Sequence, residues 1–201
     1  MQSSKYNAND KLMYPNTDVY INKFNIKDPK NLLTLEQIIV TNKLIEINNY
    51  PKGNFNLEHL CSLHRYLFTD LYTWAGELRS VDISKGTTRF CNVNFIIPEF
   101  QKIYAELQKD NFLKDVALQN LHTYLANYYA NLNMLHPFRD GNGRTIRAYL
   151  ALIIYEAHNI ILNYSNSHSK EWLEASILSV SCHNEKLAKI FAETIVKSKR
   201  K

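Results

Sequence analysis

One short segment of the sequence collects most of the residue types that chemistry on a phosphate group needs. It runs from His136 to Arg144, and Arg147 follows three positions later. A neutral imidazole can take a proton from an attacking hydroxyl as a phosphate bond forms. A carboxylate such as Asp140 would repel phosphate unless a cation bridged the two, and Mg²⁺ is the natural bridge. The segment therefore predicts a phosphate-transfer site with His136 as the base and Asp140 as the metal ligand.

The glycines on either side of Asn142 add an anion site to this segment. Gly141 and Gly143 are two of only five glycines in the 201 residues. At the start of a helix they leave backbone N–H groups unobstructed, and the helix dipole adds positive potential. Arg144 and Arg147 lie on the same side of the predicted helix, so their guanidinium groups can reach successive phosphates.

The spacing of these residues leaves two interpretations open. Asp140-Gly141-Asn142-Gly143 is on its own often just a turn, and spacing favours catalysis and a plain turn about equally. The segment lacks the third glycine of a dinucleotide-binding fingerprint and the ligand ladder of an EF-hand, and the sequence has no GxxxxGK[ST]. The remaining histidines have no such context and are interpreted as structural or surface residues: His59, His64, His122, His158, His168 and His183.

The elements that must position this segment are mostly helices. Apolar residues recur at helical spacing over about residues 32–48, 57–68, 98–109, 116–133, 142–158, 169–181 and 185–197. Strands are predicted only on either side of a turn at residues 84–88. The predicted fold class is mostly α, a single-domain helical bundle with one β-hairpin. The expected division is an N-terminal arm at 1–30, a domain at 31–197 and a basic tail at 198–201.

Composition and charge exclude several classes of protein. With 45% hydrophobic and 21% charged residues, the chain is globular rather than disordered. The net charge of +5 is densest in the last five residues and has no interleaved aromatic residues, which argues against a nucleic-acid partner. Three cysteines without paired spacing predict neither a disulfide framework nor a zinc site. No signal peptide or membrane span is apparent, so we expect a cytoplasmic protein without a membrane partner.

The segment also resembles the signature of a known family. The Fic signature HPFx[DE]GNGRxxR is matched at every defined position from His136 to Arg147. Residues 72–79, which read YTWAGELR, are similar to the family's WAG segment, and the hairpin at about 83–95 is similar to its flap. The likeness covers roughly residues 10–195. It implies the Fic fold, with a flap at about 81–97 and a catalytic loop at 136–144.

This resemblance implies a protein adenylyltransferase. In that reaction a Ser, Thr or Tyr hydroxyl of a target protein attacks the α-phosphate of ATP, and pyrophosphate leaves. His136 would be the general base, and Phe138 would anchor the catalytic loop in the core. Asp140 would hold Mg²⁺ on the α- and β-phosphates.

The resemblance also implies how the nucleotide and the target are held. Gly141, Asn142 and Gly143 would form the anion hole, with the side chain of Asn142 also near phosphate. Arg144 would hold the β-phosphate and Arg147 the γ-phosphate. The flap would align an extended target segment by main-chain pairing. Its candidate contacts with target or nucleotide are Lys85, Thr87 and Arg89.

The resemblance also bears on how the activity is inhibited. Many relatives carry an inhibitory helix, [ST]xxxE[GN], whose glutamate pairs with the second signature arginine. Three segments, 73–77, 167–171 and 181–185, have a Ser or Thr four residues before a Glu. In none of them is the Glu followed by the Gly or Asn that the motif requires, and no other glutamate fits better. We therefore expect a toxin silenced by a separate small antitoxin that carries the motif. The toxin branch suggests type II topoisomerases as the first candidate targets.

Three alternatives to protein adenylylation remain. The family branch that phosphorylates its targets carries Lys in place of the second glycine, and Gly143 argues against it. A module that binds a nucleotide or partner without catalysis would have no need for base, metal carboxylate and both arginines together. Transfer of UMP or phosphocholine is also open, because the loop contacts phosphates and says little about the base.

Overall fold

A computed structural model describes residues 11–164 and 169–197 of the chain, so the predicted basic tail lies outside the described residues. The helices are α1 (Pro29–Ile45), α2 (Leu57–Phe68), α3 (Ile96–Lys109), α4 (Leu121–Leu135), α5 (Asn142–His158), α6 (Ser169–Ser179) and α7 (Glu185–Thr194). The strands are β1 (Ser84–Lys85), β2 (Thr88–Arg89), β3 (Ile160–Leu162) and β4 (Ile195–Lys197). β1 pairs with β2 and β3 with β4, both antiparallel. The mostly helical fold class with a β-hairpin is confirmed.

The last strand pair corrects the sequence-based prediction. The final helix was expected to continue to residue 197, and strands were expected only in the hairpin. Instead, α7 ends at Thr194 and β4 pairs with β3, which follows the left-handed Asn159 (φ 54°) at the end of α5. The β-branched residues of both strands favour the extended backbone, yet their pairing joins distant parts of the chain. Local periodicity cannot show such a pairing.

The hairpin and the start of α4 also differ in detail from the prediction. β1 and β2 contain two residues each, and Val93–Phe95 form a short 3₁₀ helix rather than a strand. Asn92 caps that turn by accepting a hydrogen bond from the N–H of Asn94 (3.1 Å). The helix predicted over about residues 116–133 begins only at Leu121, and Leu118 is 47% exposed because it lies in a 3₁₀ turn that precedes α4.

The core is built around α4 and α5, which pack on each other and are joined by the catalytic loop. α5 is buried on almost every side, as expected for the central helix of a bundle. α4 packs against α3 on one side and α7 on another, while α2 packs on α5. This arrangement fixes both ends of the loop in the core. Among the described residues, no helix combines the length and apolar character that crossing a membrane requires.

The arm before α1 packs on the region of the catalytic loop. Tyr20 is buried, and its hydroxyl donates to the carbonyl of Arg139 (3.5 Å). Its ring lies 5.3 Å from that of Trp74 and 6.0 Å from that of Tyr72, centroid to centroid. A short bridge between Met13 and Tyr20 shapes this stretch. The described part of the arm therefore helps to hold the loop and the WAG segment together.

Candidate active site

His136 lies at the junction between α4 and the catalytic loop. It has a left-handed backbone (φ 47°, ψ 60°), and its N–H still donates to the carbonyl of Leu132 (3.0 Å). The side-chain Nδ1 lies 3.0 Å from the carbonyl of Asn133. A carbonyl only accepts, so Nδ1 carries the proton and the lone pair is on Nε2. Among the described residues Nε2 has no hydrogen-bond partner, and it is the ring atom that can accept a proton.

The surroundings of His136 keep its ring neutral. Phe90, which follows β2, stacks on the imidazole with the ring centroids 3.7 Å apart. Burial lowers the pKa of His136 to about 4, and the positive charges of Arg79 and Lys85 act in the same direction. The hydrogen bond to Asn133 and the charge of Asp140 only partly offset this lowering of the pKa. The imidazole is therefore a free base at neutral pH.

Two side chains close the catalytic loop on itself. Asn142 is buried, and its Oδ1 accepts from the N–H of Phe138 (2.9 Å) while its Nδ2 donates to the carbonyl of Phe138 (2.8 Å). The ring of Phe138 is fully buried in the core. The position of Phe138 agrees with its expected anchoring role. The side chain of Asn142, expected near phosphate, uses both of its polar ends inside the loop, so its main-chain N–H is the group left to face an anion.

His64 supports the same loop from α2. Its Nδ1 accepts from the N–H of Gly76 (2.8 Å), so its Nε2 donates to the carbonyl of Asp140 (3.0 Å). The ring stacks on Phe138 with the centroids 4.0 Å apart. Burial lowers the pKa of His64 to about 4, which keeps the tautomer that makes both bonds. The contacts of His64 are those of a structural residue, because they link the WAG segment to the loop.

Gly141 sets the start of α5. It has a φ of +75°, and a Cβ at this position would lie 2.5 Å from Cε2 of Phe68. Its carbonyl accepts the N–H and the hydroxyl of Thr145, each at 3.0 Å. The next N–H groups lie in the first turn of α5, where no earlier helical carbonyl can accept them. The predicted anion hole at residues 141–143 thus coincides with a helix N-terminus.

Asp140 lies beside this helix start. Its Oδ1 accepts the N–H of Gly141 (2.7 Å), and its side chain is partly exposed. The described residues contain no group of three or more His, Cys, Asp or Glu that could form a metal site from protein ligands alone. Mg²⁺ at nucleotide sites commonly uses one or two carboxylates, substrate phosphates and water. A single carboxylate next to an anion site fits that ligand set.

The two signature arginines have different partners. Nη2 of Arg144 lies 2.6 Å from Oε1 of Glu36, and its guanidinium lies 4.8 Å from the ring centroid of Phe68. The guanidinium of Arg147 lies over the ring of Trp172, 5.0 Å from its centroid. Within the described residues, no carboxylate forms an ion pair with Arg147. Arg144 is therefore charge-paired, whereas Arg147 is held by an aromatic ring.

The flap residues are not equivalent. The charge of Lys85 acts on His136, which places this lysine near the base. Arg89 is 79% exposed and lies 3.7 Å from a carboxylate oxygen of Asp82 in the flap. Thr87 is exposed in the turn between β1 and β2. Of the three flap candidates, Lys85 is the one whose charge acts on the pKa of a loop residue, His136.

Arg79 is a site residue to which sequence reasoning gave no role. It is 4% exposed, and its guanidinium donates to the carbonyls of His136 (2.8 Å), Val81 (2.7 Å), Leu135 (3.3 Å) and Cys91. These carbonyls belong to the end of α4 and to both sides of the flap. One side chain therefore joins the base to the flap. The only sequence signal was a cation at the end of the WAG segment.

We expect Arg79→Met to destabilise the protein by at least about 3 kcal/mol, because several buried carbonyls would lose a charged donor. For a chain of this size that corresponds to a fall in Tm of about 6 °C or more. Thermal denaturation measures the change. Arg65→Met, at an exposed position on α2, is the matched control. Equal Tm values for the two variants would contradict the bonding role of Arg79.

A neutral imidazole, a helix N-terminus and two arginines meet at one loop of a helical bundle. These are the groups that binding of phosphate requires. Comparison with known families identifies the site further, because the model of the Fic/DOC family matches residues 54–154. The chain belongs to the Fic/DOC family.

Similar proteins support the same assignment. A probable protein adenylyltransferase of Sinorhizobium fredii is 35% identical, over 88% of this chain and 92% of that protein. The probable protein adenylyltransferase Fic of Salmonella typhimurium is 32% identical, over 83% of this chain and 82% of that protein. Among solved structures, BepC of Bartonella tribocorum with bound AMPPNP has a TM-score of 0.90 at 21% identity, covering 96% of this chain and 100% of that chain. The structural likeness shows a shared fold.

Proposed function

We propose that this protein is a protein adenylyltransferase that moves AMP from ATP to a hydroxyl group of a target protein. The observation that carries the proposal is the tautomer of His136, whose Nδ1 proton is held by Asn133 and whose Nε2 is open. The target oxygen attacks the α-phosphorus and its proton passes to Nε2. The bond between the α-phosphorus and the bridging oxygen of the β-phosphate breaks, and pyrophosphate leaves with that electron pair.

The remaining groups of the loop position the nucleotide for this step. The N–H groups of Asn142 and Gly143 face the phosphates, whereas that of Gly141 donates to Asp140. Arg144 contacts the β-phosphate and Arg147 the γ-phosphate. Asp140 would hold Mg²⁺, which when bound neutralises charge on the phosphate oxygens. A Cβ on Gly143 would lie 3.3 Å from Nη1 of Arg147, so a side chain as long as lysine would enter the space beside this arginine. Gly143 thus suits AMP transfer rather than phosphorylation.

The flap would present the acceptor. Its two short strands leave main-chain groups that an extended target segment can pair with. Lys85, near His136, is positioned to contact the nucleotide or the target backbone, whereas Thr87 and Arg89 are suited to side chains further along the target. The acceptor is a Ser, Thr or Tyr hydroxyl. Type II topoisomerases are the first targets to test.

Control is proposed to come from another protein. Of the three segments with inhibitory spacing, residues 73–77 lie in the WAG segment, 167–171 begin outside the described residues, and 181–185 reach only the first turn of α7. Arg147 is engaged by Trp172 rather than by a carboxylate of the described chain. A small antitoxin carrying [ST]xxxE[GN] would supply that carboxylate. The protein would then act as a cytoplasmic toxin released when the antitoxin is lost.

Intact-mass measurement of purified type II topoisomerase subunits tests the activity. After incubation with this protein, ATP and Mg²⁺, we expect a subunit to gain the mass of one AMP group, and chelation of the metal with EDTA to abolish the gain. UTP or CDP-choline as the donor tests transfer of UMP or phosphocholine by the same readout. Tight ATP binding without a mass change on these subunits or on any protein of a bacterial lysate would favour the binding module.

A further inference from the structure

Glu36 is a buried acid that approaches the active site from α1. It is 8% exposed, and its Oε1 lies 2.6 Å from Nη2 of Arg144. Its Oε2 accepts a hydrogen bond from the hydroxyl of Tyr72, in the WAG segment. Glu36 lies outside the region that the family model matches, residues 54–154. The ion pair therefore joins an element outside the matched region to a residue of the signature.

The contacts around this pair fix the guanidinium of Arg144 on two sides. One edge meets Glu36, and one face lies 4.8 Å from the ring centroid of Phe68. The carboxylate is itself held, because burial, followed by the charge of Glu36, raises the pKa of Tyr72 well above its usual value. Tyr72 thus stays protonated, and its hydroxyl donates a hydrogen bond to Glu36. Neither partner of the ion pair can turn without losing a second contact.

We propose that Glu36 is a positioning residue that sets Arg144 for the β-phosphate of the bound nucleotide. The inference rests on the proposed function, which gives Arg144 that phosphate. A guanidinium has five N–H donors on more than one edge, so Arg144 can keep its bond to Glu36 and still donate to phosphate. Because the guanidinium is ordered before the nucleotide binds, less conformational entropy is lost on binding.

A competing role for Glu36 predicts the opposite effect of its removal on nucleotide affinity. A carboxylate that merely occupied Arg144 would have to leave before phosphate could bind, so its removal would tighten nucleotide binding. Glu36 is a poor candidate for leaving, because it is buried in α1 and its second oxygen is bound by Tyr72. It also pairs with the first signature arginine, Arg144, and not with Arg147.

Calorimetric titration of ADP and AMP, in Mg²⁺, separates these roles. AMP lacks the β-phosphate, so the ratio of the two affinities reports on the contacts to that phosphate, among them the contact from Arg144. We expect Glu36→Gln to weaken the binding of ADP about tenfold and the binding of AMP less than about twofold. A tenfold change in affinity is about 1.4 kcal/mol. Tyr72→Phe should give a smaller loss in the same direction. Glu46→Gln, an exposed glutamate after α1, is the matched control and should change neither affinity.

The Arg144→Ala background distinguishes failure of the inference from failure of the proposed function. There, Glu36→Gln should cause no further loss of ADP affinity if it acts through Arg144. Tighter ADP binding by Glu36→Gln, or an equal loss for ADP and AMP together with a lower Tm, would overturn the positioning role alone. If Arg144→Ala itself left the ratio of ADP to AMP affinity unchanged, the β-phosphate role of Arg144 in the proposed function would be wrong.

Discussion

Replacement of His136 by alanine is expected to slow AMP transfer by about 10²–10⁴-fold while the fold and ATP affinity are retained. The reason is that Nε2 of His136 holds the open lone pair that accepts the proton of the attacking hydroxyl, because Nδ1 is bonded to Asn133. Single-turnover transfer of label from ATP measures the rate, and circular dichroism checks the fold. The matched control is His183→Ala, at an exposed position outside the site.

The pH dependence of the same reaction tests the state of this base. A protonated imidazole cannot accept the hydroxyl proton, so kcat/KM falls as the pH falls through the pKa of His136 in the free enzyme. Because burial lowers this pKa to about 4, the acid limb should lie well below the ordinary histidine value. Wild-type rates in His136→Ala, or an acid limb that is unchanged in that variant, would show that another group is the base.

Gly141→Ala is expected to disrupt the loop, because the added methyl group combines a positive φ with a close approach to a buried ring. The alanine would take a φ of +75° and place its Cβ 2.5 Å from Cε2 of Phe68. The backbone costs about 1–2 kcal/mol, and the collision adds about 1–3 kcal/mol. For a chain of this size the sum, about 2–5 kcal/mol, lowers Tm by roughly 4–20 °C, and a displaced loop should also reduce AMP transfer more than tenfold. Thermal denaturation and the transfer assay measure the two effects.

Gly86→Ala is the control that separates the two costs. Gly86 also has a positive φ (+59°), but a Cβ there would have no neighbour within 4 Å. Gly86→Ala should therefore lose only the stability that the unfavourable backbone conformation costs. Adding Phe68→Leu to Gly141→Ala should recover part of the lost stability, because the smaller side chain relieves the collision. Equal losses in Gly141→Ala and Gly86→Ala would contradict the packing account of the loop.

The sequence predicted the parts of the site that are contiguous in the chain. The signature at 136–147 predicted the helix start that the structure shows and marked the candidate base and both candidate phosphate-binding arginines, and α2 and α5 have the predicted bounds. Those features depend on local spacing and capping, which a sequence displays directly. The tautomer of His136 was not predictable, because it depends on the carbonyl that happens to face Nδ1.

The supporting contacts could not be predicted because they join distant segments. Glu36 and Arg144 lie in different helices, and no pattern near either residue marks the pair. Arg79 was visible only as a cation, and its carbonyl partners follow from how the flap packs on α4. The side chain of Asn142, predicted to lie near phosphate, closes the loop around Phe138, and the signature does not show that contact. In each case the decisive fact is tertiary packing, which one sequence does not contain.

The most direct test of AMP transfer compares ATP radiolabelled at the α-phosphate with ATP radiolabelled at the γ-phosphate. The protein, Mg²⁺ and a bacterial lysate are incubated with each nucleotide, and the proteins are separated and imaged. The account predicts a labelled protein with α-labelled ATP, no label with γ-labelled ATP, and no label with His136→Ala. A protein labelled from the γ-phosphate instead, or no transfer from either nucleotide, would contradict it.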